Sequence, residues 1–132
     1  MPYSVRTDVE ALFGAENVKK WADLDGNGIE VDIDARVTKA IEYADGEIDD
    51  TLRGGRYAIP ISGTVPVTVI QISARKAGIW LYHLRSAEDE NSAIANHAEE
   101  VQLILAKILS GEMTLDLDED TPVPEFIKDG EI

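Results

Sequence analysis

The residues whose types and spacing could do chemistry lie in one stretch, Asp23-Leu24-Asp25-Gly26-Asn27-Gly28-Ile29-Glu30-Val31-Asp32-Ile33-Asp34. A hard cation such as calcium takes about six to eight oxygen ligands, and the twelve-residue EF-hand loop supplies them from alternate positions. Asp23, Asp25 and Asn27 fall on positions one, three and five. Gly28 falls on the sharp turn at position six, and Ile29 offers its carbonyl at position seven. Asp34 stands at position twelve, where a bidentate Glu is usual, and its shorter arm reaches less far. Glu30 occupies position eight, where an apolar residue is expected, and no second loop pairs with this one. The competing reading is a hairpin loop rich in Asx turns, with Asp32 or Asp34 capping the next helix. Under either reading the loop sets how the helices before it meet the helix after it.

Other chemistry has little to draw on. His83 and His97 fall on successive helical patterns near their shared turn. A zinc site there would need Glu88 or Asp89 as well, and the spacing matches no zinc pattern, so surface or interface histidines are the better reading. The chain has no cysteine, which removes disulfides, thiolate zinc sites and a cysteine nucleophile. It has no glycine-rich phosphate loop, nucleophile elbow or paired catalytic carboxylates. Lys19, Lys20, Arg53, Arg56, Arg75, Lys76 and Arg85 are too scattered to line a nucleic-acid groove. The expectation is a protein that is not an enzyme and has no cofactor beyond a structural calcium ion at the Asp-rich loop.

The formal net charge of −14 repels nucleic acid and anionic membranes. Residues 112–132 hold eight acids against Lys128 alone, half of that charge on a short tail. The chain therefore divides into a helical domain, 1–111, and an acidic C-terminal tail, 112–132. Within the tail, Phe126 and Ile127 form an apolar pair. Such a pair in a polar segment either folds onto a partner or is incidental to a solubilising tail. At 132 residues and 44% hydrophobic the whole chain is one domain's worth of globular protein. No apolar run reaches the roughly eighteen residues of a membrane span, and the start lacks the pattern of a signal peptide, which fits a cytosolic origin.

Hydrophobic periodicity predicts an all-α fold, a bundle of about five helices, two short and three long. Thr7 with Glu10 reads as a capping box for a first helix ending at Phe13-Gly14, and a second spans Glu16 to Ala22 with Val18 and Trp21 inward. The third runs from Asp34 to about Arg53 on Val37, Ile41, Ala44, Ile48 and Leu52. An extended connection follows, Arg56 to Gly63, in which Tyr57, Ile59 and Ile61 alternate; a short strand is the alternative. Pro66 opens a fourth helix to Arg85, with Ile70, Ala74, Ala77, Leu81 and Leu84 in one stripe and further apolar residues around it. A helix so apolar is central, or covered by another subunit. After a polar turn at residues 86–91 the fifth spans Ser92 to Ser110 on Ile94, Ala98, Val101, Leu105 and Ile108, and Gly111 stops it. The acidic tail beyond is expected to be extended.

The order of these pieces resembles one family. Phe13-Gly14, the DLDGNG loop, the long amphipathic helix, GGRYAIPI, the proline-started apolar helix and LILAKILSGEMTL resemble the small head–tail connector proteins (neck adaptors or head-completion proteins) of tailed double-stranded DNA phages, in their Mu-like prophage branch. The resemblance covers Tyr3 to Leu115. Arg56-Tyr57 with Pro60, and Gly111 before a small apolar end, are its most specific parts. The acidic tail from Asp116 onward departs from the shorter members. The resemblance implies a virion protein, made in the host cytoplasm, that forms a ring of about twelve copies below the portal protein. Such a ring extends the channel through which genomic DNA passes and meets the next neck or tail protein. It also implies that the C-terminal segment, Met113–Ile132, docks on the portal. Two other functions fit the residues alone: a calcium-binding interaction module built on the Asp-rich loop, and an acidic regulator of a basic partner.

Overall fold

A computed structural model describes residues 2–85, 92–115 and 117, and those residues form five α-helices and no strand. They are α1 (Arg6–Phe13), α2 (Ala15–Ala22), α3 (Glu30–Leu52), α4 (Val67–Arg85) and α5 (Ser92–Ser110). The all-α expectation holds, with two short helices and three long ones. The turn expected at 86–91, and the tail apart from residues 112–115 and 117, lie outside the described residues.

Helix α4 is the centre. It packs against α1, α2, α3 and α5, so much of its apolar girth is covered within the chain, while Val67 and Leu84 stay exposed. Two buried clusters divide along it. One joins Ile33, Val37 and Ala44 of α3 to Ala74, Ala77 and Leu81 of α4, with Val9 and Phe13 of α1, Val18 of α2 and Ile94 of α5. The other joins Ile48 and Leu52 to Val69 and Ile72, with Tyr3, Tyr57, Ile61, Val101, Leu105 and Ile108. The start of α3 thus meets the end of α4, and the start of α5 meets that same end, so α3 and α5 both run antiparallel to α4. Leu115 is buried in the second cluster, and Met113 and Leu117 pack against it, so apolar packing continues past the end of α5.

Several local details differ from the sequence reading. Helix α1 starts at Arg6 and not after Thr7; its N-terminal bond runs from the Val5 N–H to the Asp8 carboxylate, 2.8 Å, and Glu10 instead pairs with Arg6. Helix α3 starts four residues before Asp34. Glu30 and Asp32 lie in its first turn, where the exposed N–H groups favour acids. Pro66 lies just outside α4, its carbonyl accepting the Ile70 N–H at 3.0 Å. The buried face of α4 is Val69, Ile72, Ser73, Ala74, Ala77, Gly78, Leu81 and Tyr82, whereas Leu84 is 44% exposed and Ile70 only half-buried. A single stripe assumes one packing partner, and α4 has four. The predicted bounds of α5 hold, but only Ile94, Val101, Leu105 and Ile108 of its stripe are buried, Ala98 being half-exposed.

Candidate functional site

The Asp-rich loop is closed by its own side chains. The Asp23 carboxylate accepts the N–H groups of Asn27, 3.2 Å, and Gly28, 2.9 Å, and the Asn27 Oδ1 accepts the Ile29 N–H, 3.0 Å. Gly26 and Gly28 take φ of 70° and 69°, a region open to glycine at no steric cost. Asp34, a turn into α3, receives Arg6 Nη1 at 3.2 Å, and the same guanidinium meets Glu30 and Glu10. Asp23, Asp25, Asn27, the Ile29 carbonyl and Asp34 are all oxygen donors, the kind a calcium ion takes. Of these, Asp34 alone meets Arg6 and so joins α3 to α1, and an ion at the loop would have to draw it from that guanidinium. Among the described residues no group of three or more His, Asp or Glu side chains is set to hold a metal. Because the loop's closure rests on amide and guanidinium donors, adding EDTA is expected to leave the melting temperature unchanged. A fall on EDTA that calcium restores would give the closure to the ion instead.

A second constellation ties the N-terminal segment to α3 and α4. Tyr3 donates its backbone N–H to Asp45 Oδ2, 2.8 Å, and its hydroxyl to Asp49 Oδ1, 2.5 Å, while that hydroxyl accepts the Ile61 N–H at 2.8 Å. Ser73 donates to Asp45 Oδ1 at 2.6 Å, which leaves Ser4 to donate to Ser73, also at 2.6 Å. Ser4 and Ser73 are the buried polar residues of the described chain, and each is satisfied by the other. Burial pushes the Tyr3 phenol up to about 12, helped by its bond to Asp49. Burial also raises Asp45, outweighing the two hydrogen bonds that favour its charge. Beside this network, a groove of about 600 Å³ runs between the N-terminal segment and α3. Val5, Val37 and Ile41 line it, with Asp34, Glu42, Asp45 and Asp49 at its edge. Helix α3 carries eight acids against Arg36 and Lys39, so the groove opens on the acidic wall of the body.

The third constellation explains residues known from the sequence only as a pattern. Arg56 Nη2 donates to the Ile108 carbonyl at 2.7 Å and lies over the Tyr57 ring, 5.3 Å from its centre. Gly111, at φ 88°, brings the chain past that guanidinium: a Cβ there would stand 3.5 Å from Arg56 Nη1. Tyr57 accepts the Leu115 N–H on its hydroxyl at 2.8 Å. Arg56 and Tyr57 therefore cap the C-terminus of α5 and fix the direction in which the chain leaves it. Replacing Arg56 with alanine frees a carbonyl at a helix end and is expected to cost about 1 kcal/mol at this half-buried site. Faster hydrogen exchange at the Leu115 amide, with the amides of α1 unaffected, is the local signature to measure.

The remaining candidates separate. His97 packs at a tilt against Phe13, ring centres 4.6 Å apart, and burial and Arg75 lower its pKa. His83 is exposed on α4 and faces another hollow, beside Tyr43 and Trp80. Glu88, Asp89, Phe126 and Ile127 lie outside the described residues. The sequence reading missed the network of Tyr3, Ser4, Asp45 and Ser73; the available signal was Ser73 standing between Ile72 and Ala74 in α4. No curated protein matches the chain. One family does, described as Bacteriophage Mu, Gp36, over residues 3–128. The match runs past Leu115 and takes in Phe126 and Ile127, so most of the acidic tail is part of the family pattern and not an addition to it. With nearly its whole length matched, the chain belongs to the Bacteriophage Mu, Gp36 family.

Proposed function

We propose that this Mu-like phage protein is a head–tail connector: a structural subunit, without catalysis, that forms a ring of about twelve copies below the portal and joins head to tail in the virion. The family match over residues 3–128 carries this reading. Two features of the fold support it. Arg56, Tyr57 and Gly111, the residues on which the connector resemblance is most specific, meet at one place and hold the chain as far as Leu115, the start of the segment proposed to dock on the portal. The acidic wall of α3 suits a channel that DNA must slide through, because cationic contacts to phosphate are what hold DNA in place. No described helix is long and apolar enough to cross a membrane.

The test is to mix the purified chain with the portal of its own phage and image the complex in negative stain. An added ring on the tail-facing side of the portal is expected. Portals with no added density would overturn the connector reading. A monomer in the absence of portal is compatible with it, since the portal supplies the symmetry that a ring subunit completes.

A further inference from the structure

The groove between the N-terminal segment and α3 joins an apolar wall to carboxylates that lack a counter-charge. Val5, 53% exposed, faces it with Val37 and Ile41, and Glu42, Asp45 and Asp49 follow one another along α3 beside them. Among the described residues no cationic side chain pairs with any of these three acids. Asp45 and Asp49 accept the neutral donors of Tyr3 and Ser73, and each carboxylate has lone pairs beyond those bonds. Arg6 is the cation of the lining, and it is already shared by Glu10, Glu30 and Asp34.

Gly46 supplies a separate observation. It lies inside α3 and lines the same groove. Glycine in the middle of a helix weakens it relative to alanine. At Gly78 the ring of Phe13 accounts for the missing Cβ, but a Cβ built at Gly46 meets no atom within 4 Å. The chain's own packing therefore gives no reason for glycine here, whereas an occupant of the groove does.

We infer that this groove docks a lysine- or arginine-rich segment of a partner protein, which passes closely over Gly46. The apolar stems of such side chains lie along Val5, Val37 and Ile41, and their charged heads reach Glu42, Asp45 and Asp49. A purely apolar or acidic segment would desolvate those carboxylates without pairing them, which is costly. A second copy of this chain is the poorer occupant, because its net charge of −14 opposes the charge of the groove. Asp32 and Asp50 of α3 lie outside the groove and stay exposed for a channel wall, so the inference is compatible with the connector reading and does not rest on it.

The probe is the peptide acetyl-Lys-Leu-Lys-Lys-Leu-Lys-amide, titrated into the full chain and followed by nitrogen–proton NMR. Shifts of the Val5, Thr38, Glu42 and Gly46 amides are expected, and the same peptide with glutamate for each lysine should leave them in place. No shift with the lysine peptide, or shifts spread evenly over the exposed acids of the chain, would overturn the inference. Equal shifts with spermidine at the same concentration would overturn it too, by showing that charge alone is recognised. Gly46→Leu fills the groove without touching a carboxylate. It is expected to keep or raise the melting temperature and to abolish the peptide shifts. A lower melting temperature would give Gly46 a role in the fold, and unchanged peptide shifts would place the contact elsewhere; either result sinks the proposal.

Discussion

Replacing Gly78 by alanine is expected to destabilise the protein by about 1–3 kcal/mol, although alanine is the better helix former by roughly 1 kcal/mol. A Cβ built at Gly78 falls 2.1 Å, 2.4 Å and 2.7 Å from three atoms of the Phe13 ring. An aromatic ring can often swing away from such an intruder. This one is held: it packs edge-on to Trp21 at 5.6 Å and against His97 at 4.6 Å, so α2 and α5 close its two exits. The added methyl therefore pushes α1 from α4, or drives Phe13 off its rotamer. A double-mutant cycle separates this from any effect of helix propensity. In a Phe13→Leu background the ring is gone, and Gly78→Ala should become neutral or stabilising. Thermal or denaturant unfolding of the four proteins checks it. The same loss in both backgrounds would show that the close approach of α1 to α4 at this point is not what Gly78 provides.

Gly78 also shows where the sequence is legible and where it is not. Helix type and number follow from spacing, because an apolar face at helical period has to be buried whichever neighbour buries it; α5 and the extended connection carry their own stop signals in Gly111, Pro60 and Pro66. Which face of α4 is innermost is not local information. Its apolar residues surround the axis, and the choice of Ser73 and Gly78 over Ile70 and Leu84 comes from what arrives from the N-terminal segment and from α1: a serine hydroxyl in one place and a phenyl ring in the other. A glycine and a serine inside an apolar helix look like weak points until their partners, more than sixty residues away in sequence, are known. The candidate site divides in the same way. The Asp-rich loop is a local pattern and is visible as residues, but the engagement of Asp34 by Arg6 is a tertiary contact that no spacing in the loop encodes. Arg56 and Tyr57 are recognisable as a pattern, and their reason, a carbonyl of α5 and an amide beyond it, lies at the far end of the chain.

Asp45→Ala is expected to cost about 2–4 kcal/mol at neutral pH: two hydrogen bonds to a charged acceptor are lost, at about 1.5–3 kcal/mol each, less a discount for partial exposure. The Tyr3 N–H and the Ser73 hydroxyl lose their acceptor, and the buried Ser4–Ser73 pair must find another arrangement. The pH dependence distinguishes this network from an ordinary packing defect. Asp45 is raised above its ordinary 3.8 in the folded chain, so the folded state keeps a proton that the unfolded state has released. Its contribution to stability therefore grows as pH falls through the raised value and levels off below 3.8. The gap in unfolding free energy between the parent and Asp45→Ala should widen over that interval. Tyr3 supplies the opposite limb. Its phenol is raised from 10.0 to about 12, so its contribution is fully present below 10 and is lost as pH climbs toward 12. Tyr3→Phe should remove that alkaline loss while costing about 1–3 kcal/mol at neutral pH, because the Ile61 N–H is left without its acceptor. Denaturant unfolding of the parent, Asp45→Ala and Tyr3→Phe across pH reads both limbs as differences, which cancels the other acids and tyrosines of the chain. If the differences stay flat at both ends of the scale, the N-terminal segment is held by the burial of Tyr3 alone, and the carboxylates of α3 do not take part in anchoring it.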